Sequence, residues 1–219
     1  MAIRVITIAR QVGTGGEDVA RMIAGATGYR LLDYHLIQEA AREAGVSPET
    51  VSNAEHKPSF LTRIIEALAR NPVTPASGQW GEPANIAATP LLTSMDYRQI
   101  IQQVIENFAR QGDVVFLGHG AQFVLKDRPE VFRVLIAGSP EARTQRLIAA
   151  MATSEEKARA LVARTDRERV EYFRTYYGED WLAPASYDLA VNTDRIDPSA
   201  AAAVILAAAG IPRPLAATT

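Results

Sequence analysis

The sequence predicts an α/β fold in which a five-stranded parallel sheet is covered by helices on both faces. Five short segments rich in β-branched and apolar residues alternate along the chain with segments of helical periodicity. The predicted strands are nearly continuous apolar runs, which is typical of parallel strands that are buried on both sides. With 219 residues, of which 47% are hydrophobic, the chain can form one domain with a full core.

The first part of the chain predicts a strand, a helix, a second strand and a second helix. Residues 3–9 are apolar and predict a strand, and 17–27 carry apolar residues on one helical face. Gly28 is a natural end for that helix, since glycine readily adopts the left-handed conformation found at helix ends. The second strand is predicted over 29–33 and the second helix over 34–45.

The segment 45–95 is less regular than the rest of the chain. Ser47 and Pro48 mark a helix start, and 59–71 is amphipathic. The stretch 71–90 holds four prolines and two glycines in 20 residues, which predicts a long loop.

Regular alternation returns after the insert and continues through the rest of the chain. Apolar residues recur at helical spacing in some segments and run continuously in others. Helices are predicted over 95–112, 139–151, 154–178 (one long helix or a pair) and 197–210, and strands over 113–118, 131–138 and 187–193.

Four loops are expected to share one rim of the sheet. Ligands in open parallel sheets bind outside the carboxyl ends of the strands, so the segments that follow the strands are the candidate site. These segments are Arg10–Gly16, Asp33, Gly118–Gly120 and Gly138–Ser139.

The glycine-rich stretch "RQVGTGGE" follows the first strand and opens the first helix. It matches the phosphate-binding pattern G-x-x-x-x-G-K-[ST] only in part, because Arg10 replaces the first glycine, Gly16 the lysine and Glu17 the hydroxyl residue. Gly13 and Gly15 remain, and they allow backbone N–H groups to converge on a phosphate at the helix N-terminus.

Two other interpretations of this loop stay open on the residues alone. Dinucleotide binding would require a third glycine where Asp18 stands, although Asp33 lies 20 residues after Gly13, where a ribose-binding acid is expected. Alternatively, the glycines only permit a tight turn between strand and helix.

The stretch 164–174 interleaves arginines with acids. Such a pattern fits a solvated helix with i,i+4 ion pairs. It equally fits a mobile lid, because phosphoryl transfer requires cations around the transferred group and exclusion of water. The arginines are Arg164, Arg167, Arg169 and Arg174, and the acids are Asp166, Glu168 and Glu171.

The chain resembles the cytidylate kinase-like family, a branch of the P-loop nucleoside monophosphate kinases. The resemblance rests on four segments, which begin at "ITIARQVGTGGEDVARMIA" and "YRLLDYHLI", continue through "VVFLGHGAQFVL" with "FRVLIAGSPEARTQRL", and end at "DRERVEYFRTYYGEDWLAPASYDLAVNT". Members of this branch have a similar loop without the lysine. The resemblance implies a three-layer P-loop nucleoside-kinase-like fold over 1–219, with the 45–95 insert and a helical lid at 153–182.

The resemblance also implies transfer of a phosphoryl group from ATP, with Mg²⁺, to a nucleoside monophosphate or another small acceptor. His119 stands where the branch usually has an arginine, which puts the grip on the acceptor phosphate in doubt. The implied catalytic residues are Arg10, Arg164, Asp166 and Arg169. The implied nucleotide-binding residues are Gly13, Thr14, Gly15, Gly16, Glu17, Asp18 and Arg143, and the implied acceptor-side residues are Asp33 and His119.

Magnesium ligands are proposed from position alone: Thr14 and Asp33 first, and Asp18 as a weaker choice. Arg143 and Arg146 fit exposed helix charges as well as nucleotide contacts. Trp80 and Tyr97 are candidates for stacking on a base.

Composition limits the other function classes. The net charge is −2, which argues against a nucleic-acid binder, and no apolar run approaches the roughly 20 residues of a membrane span. There are no cysteines, and the spacing of the three histidines does not indicate a metal site. We therefore expect a cytoplasmic protein. Three rival functions stay open: a catalytically weak nucleotide-binding regulator, a kinase for a different metabolite and a dinucleotide enzyme. The apolar faces of 59–70 and 95–111 could also form a homodimer.

Overall fold

The fold is described from a computed structural model, which describes residues 2–33 and 95–211, with side chains from Arg98 onward in the second part. The strands are β1 (Val5–Arg10), β2 (Arg30–Asp33), β3 (Val114–Leu117), β4 (Val131–Ala137) and β5 (Leu189–Asn192). The helices, numbered over the described residues, are α1 (Gly16–Thr27), α2 (Met95–Gln111), α3 (Ala121–Val124), α4 (Pro140–Met151), α5 (Glu155–Tyr177) and α6 (Pro198–Ala208). A 3₁₀ turn at Pro184–Ser186 precedes β5.

All five strands run parallel in the order β2-β3-β1-β4-β5. Strand β1 lies at the centre, and its six residues pair with β4 along their whole length. Because the strands are parallel, the loops after β1, β2, β3 and β4 emerge at the same edge of the sheet. The predicted shared rim is thus confirmed.

The two faces of β1 belong to different parts of the core. Ile6 and Ile8 are fully buried against α1 and α6, which cover one face of the sheet. Ala9 lies on the opposite face, beside an aromatic group that includes Tyr172 and Phe173 of α5. The alternation along β1 is that of a strand buried on both sides, as its continuous apolar sequence predicted.

Local signals set most of the helix ends. The Ser139 hydroxyl accepts a hydrogen bond from Ala142 N at 3.2 Å, and Pro140 occupies the first turn of α4. Gly28 ends α1 in the left-handed conformation, with φ +72°. The segment 154–178 forms one continuous helix rather than a pair.

The sequence left open whether the apolar face of helix α2 forms a dimer or belongs to the core. Its apolar residues are almost completely buried, so this face belongs to the core of the chain and is not a free dimer surface: Ile100, Ile101, Val104, Ile105 and Phe108. The second amphipathic helix, predicted over 59–71, and nearly all of the 45–95 insert lie outside the described residues. The short helix α3 was not predicted, because it is only four residues long.

Candidate functional site

The glycine-rich loop crosses from β1 to α1 and presents uncommitted backbone donors. Gly13 and Gly15 have positive φ values of +79° and +74°. The backbone N–H groups of Gly13, Thr14, Gly15 and Gly16 form no hydrogen bond with any of the described residues. They lie at the N-terminus of α1, where the helix dipole favours an anion. The loop therefore fits a phosphate group on its backbone alone.

Arg10 lies beneath this loop, between the first turn of α1 and the turn after β3. Its Nε donates a hydrogen bond to Glu17 Oε1 at 2.9 Å. A Cβ placed on Gly118 would lie 2.7 Å from Arg10 Nη1, so the guanidinium reaches the β3 turn as well. The side chain of Arg10 is 12% exposed, so it is buried at the site rather than extended into solvent.

The ion pair with Arg10 keeps Glu17 ionised at neutral pH. Burial on its own would raise the pKa of Glu17, but the charge and hydrogen bond of Arg10 outweigh it and lower the pKa below the ordinary value. Glu17 stands where the lysine-bearing loops carry a hydroxyl residue. A carboxylate has replaced a neutral ligand at the start of α1.

Arg169 connects α5 to the same loop. Its Nη1 donates a hydrogen bond to the backbone oxygen of Arg10, and its guanidinium lies 5.5 Å from the centre of the Trp181 ring. Burial, with the nearby Arg10 charge, lowers the pKa of Arg169 to about 10, so this group still carries its charge at neutral pH. Arg169, predicted as a catalytic residue of the lid, thus lies beside the loop.

Asp166 and Arg143 form a buried ion pair on the other side of the loop. Arg143 Nη1 and Nη2 donate to the two oxygens of Asp166 at 3.0 and 2.6 Å, and the Arg143 side chain is only 1% exposed. Arg143 Nη1 also lies 3.5 Å from the backbone oxygen of Val12. Arg143 is thus neither an exposed helix charge nor open to solvent, and the pair links α4, α5 and the loop.

Gln11 is a site residue that the sequence analysis did not identify. Its Oε1 accepts a hydrogen bond from Gly138 N at 3.2 Å, and its Nε2 lies 3.5 Å from both oxygens of Asp166. Gln11 therefore joins the loops after β1 and β4 to α5. Its position directly after the strand was the available signal, but a neutral amide suggests no chemistry by itself.

A second connection ties the loop to the end of β5. Arg146 Nη1 lies 3.4 Å from the backbone oxygen of Gly13, and Arg146 Nη2 donates to the backbone oxygen of Thr193. Thr193 was not predicted either. Arg146 thus connects the backbone of the loop after β1 to the backbone that follows β5.

Two of the predicted residues are not brought to the loop. Arg164 is exposed on α5 and lies 3.8 Å from Glu168, one turn further along the helix. Asp18 binds Arg21, also on the exposed side of α1. The interleaved charges at the start of 164–174 thus combine a solvated face, at Arg164, with a buried face, at Asp166 and Arg169.

The two residues predicted for the acceptor side lie at the end of β2 and just after β3. Asp33 is buried and pairs in register with Leu117, directly before the β3 turn. His119 follows with φ +60°, an uncommon conformation for a residue other than glycine that is often found at functional turns. Trp80 lies outside the described residues, as does the side chain of Tyr97.

The candidate metal ligands are only partly suited to that role. The Thr14 hydroxyl is buried and donates a hydrogen bond to the backbone oxygen of Gln11 at 2.8 Å. In residues 2–33 and 95–211, no group of three or more His, Cys, Asp or Glu residues is arranged to hold a metal ion.

Comparison with models of protein families identifies the family of this chain. The family model of the cytidylate kinase-like family matches residues 5–195, which include every element from β1 to β5. The chain belongs to this family. No curated protein matches the chain.

Solved structures agree with the family on the fold. An uncharacterized protein from Eubacterium ventriosum is 19% identical with a TM-score of 0.68, and the match covers 96% of this chain and 99% of that one. A shikimate kinase from Bacteroides thetaiotaomicron is 12% identical with a TM-score of 0.51, covering 94% and 98%. A gluconokinase from Sinorhizobium meliloti is 15% identical with a TM-score of 0.51, covering 96% and 94%.

These likenesses confirm the P-loop kinase-like fold that the resemblance implied. At such identities they establish the fold alone. None of the helices in the described part of the chain combines the length and apolar character needed to cross a bilayer.

Proposed function

We propose that this protein is an ATP-dependent phosphotransferase that moves a phosphoryl group from ATP to a nucleoside monophosphate or another small acceptor. The observation that carries the proposal is the loop itself. Four successive backbone N–H groups at the N-terminus of α1 form no hydrogen bond with the described residues, and the side chain of Arg10 lies beside them. Such an arrangement is suited to binding a polyphosphate.

The chemistry we assign to the site is electrostatic. Phosphoryl transfer requires positioning and charge more than covalent help, so preorganised donors supply most of the stabilisation. The loop amides hold the phosphates, and Arg10 and Arg169 supply positive charge from either side. When bound, Mg²⁺ neutralises phosphate charge, and Glu17 is the carboxylate at the loop that would hold it, with Asp33 on the neighbouring strand.

Asp166, Arg143 and Gln11 act as positioning residues in this proposal. Their hydrogen bonds fix the loop relative to α5, so that the amides keep their direction when phosphate arrives. Arg164 is exposed, and it joins the site only if the 153–182 segment closes as a lid. We propose the acceptor site between Asp33, His119 and the 45–95 insert, within a single cytoplasmic domain.

The test is a coupled kinase assay with ATP, Mg²⁺ and a panel of nucleoside monophosphates and small hydroxylated metabolites. Turnover with one acceptor is expected, together with loss of turnover in Arg169→Ala. Arg159→Ala is the matched control, because Arg159 lies on the same helix in an exposed pair with Glu155. Absence of turnover with every acceptor would refute the enzymatic proposal.

A second candidate function is a nucleotide-binding protein with little or no turnover. It is favoured by the two carboxylates at the site, because Glu17 and Asp166 each neutralise part of an arginine charge. Calorimetry with ATP and Mg²⁺ distinguishes the two functions: binding of ATP in a protein that fails to transfer phosphate to any acceptor would select the regulator.

A further inference from the structure

The missing lysine has a steric explanation in the position of Arg10. A Cβ placed on Gly16 would lie 2.7 Å from Arg10 Cβ and 2.8 Å from Arg10 Cγ. Arg10 Cβ is fixed to the backbone of β1, so it cannot move aside unless that backbone moves. Any side chain at position 16, lysine included, is therefore excluded while an arginine occupies position 10.

The loop can be aligned position by position with the lysine-bearing pattern G-x-x-x-x-G-K-[ST]. The first position of that pattern is glycine and the seventh is lysine. Here the first position is Arg10 and the seventh is Gly16. Glycine and a cationic residue have thus exchanged positions, and in this chain Gly16 leaves free the space that the stem of Arg10 occupies.

Glycine at 118 completes the space for Arg10. Gly118 has φ +86°, and a Cβ there would lie 2.7 Å from Arg10 Nη1. Glu17 engages only the Nε edge of the guanidinium, which leaves its Nη donors facing the rim between the loop and the β3 turn. A guanidinium grips phosphate oxygens through two donors at once, so an arginine can take over the function of a lysine ammonium.

We propose that Arg10 is the relocated phosphate-binding cation of this loop, and that Gly16 is glycine because Arg10 fills its side-chain space. This inference rests on the proposed nucleotide site. It assigns the ligand of Arg10 as the phosphate chain of a nucleoside triphosphate.

The binding test compares the full chain with Arg10→Gly, Gly16→Lys and the double variant Arg10→Gly/Gly16→Lys. Calorimetry with a non-hydrolysable ATP analogue and Mg²⁺ is the measurement. We expect Arg10→Gly to weaken binding about ten- to a hundredfold, because a charge-assisted contact is lost. Gly16→Lys should also weaken binding, and the double variant should bind more tightly than either single variant. Arg4→Gly is the control, since Arg4 adjoins the opposite end of β1 in a half-exposed pair with Asp113.

A double-mutant cycle of Gly16→Ala and Arg10→Gly tests, without any ligand, whether Arg10 excludes a side chain at position 16. Gly16 has no positive φ, so alanine suits its backbone, and only the contact with Arg10 opposes it. Gly16→Ala should lower the melting temperature by about 3 to 10 °C in the natural chain. In the Arg10→Gly background the same change should be neutral or stabilising. Equal costs in both backgrounds would overturn the exclusion.

The outcomes separate this inference from the proposed function. If Arg10→Gly binds the analogue as tightly as the natural chain while turnover is present, the relocated cation is wrong and the kinase proposal stands. If binding depends on Arg10 but no acceptor is phosphorylated, the relocated cation stands and the kinase proposal fails. If the natural chain binds no analogue, both are wrong.

Discussion

Replacing Asp166 should destabilise the protein, because its partner Arg143 would be left as an unpaired buried charge. Two hydrogen bonds of 3.0 and 2.6 Å join them, and the Arg143 side chain is 1% exposed. Removing one partner of a buried ion pair costs about 3–5 kcal/mol. Asp166 is itself 27% exposed, so the lower end, about 3 kcal/mol for Asp166→Ala, is the expected loss.

The assay is urea unfolding followed by the fluorescence of Trp181, which is buried. With a slope of about 3 kcal/mol per molar urea, a loss of about 3 kcal/mol moves the midpoint down by roughly 1 M. Glu155→Ala is the matched control, because Glu155 pairs with Arg159 on the same helix while both side chains are more than half exposed. That variant should lose less than about 1 kcal/mol.

A double variant checks the mechanism of the loss. Arg143→Met with Asp166→Leu removes both charges, so most of the lost stability should return. If Asp166→Ala instead unfolds at the same urea concentration as Glu155→Ala, the buried pair does not stabilise the protein. Unchanged unfolding with lost turnover would show that Asp166 acts in the chemistry itself rather than as a positioning residue.

Three further predictions concern stability. Thr7→Val should raise the free energy of unfolding by about 1 kcal/mol in urea unfolding, because the Thr7 hydroxyl is buried and bonds to none of the described residues; a loss would refute this. Gly118→Ala should lower the melting temperature more than Gly28→Ala. Both have positive φ, but only at Gly118 would the new Cβ meet Arg10, whereas Gly28 has open space; equal losses would contradict the contact. The lowered pKa of Glu17 implies stability that is present above its ordinary pKa of 4.5 and lost as the pH falls through the folded-state value. Glu17→Gln should show less of this acid-dependent loss in melts between pH 3 and 7, and an identical profile would count against the pair.

The sequence predicted the elements that local signals specify. The apolar runs of β1 and β4 and the Ser-Pro start of α4 are properties of short segments, and the structure reproduces them within one or two residues. The shared rim was also predictable, because parallel strands leave their following loops at one edge.

The sequence could not predict which of the charged side chains contact the loop and one another. The sequence presents Arg164, Asp166 and Arg169 as one run, yet Arg164 is exposed while the other two reach the loop. Helical spacing separates their directions, but which face of α5 is buried depends on its packing against residues far along the chain, such as Ala9 and Leu135 of the sheet. The role of Gln11 likewise depends on a partner 155 residues away in the chain, which no local pattern records.

Two arginines lie beside the loop although the loop itself lacks a lysine. Arg10 gives up only its Nε donor to Glu17, and Arg169 donates to a backbone carbonyl and forms no ion pair with the described residues. Asp166 is hydrogen-bonded to Arg143 and does not form an ion pair with Arg169. The two cations that flank the loop therefore come from β1 and α5 instead of from α1. Under the proposed function, α5 therefore contributes a cation to the phosphate site in addition to the one from β1.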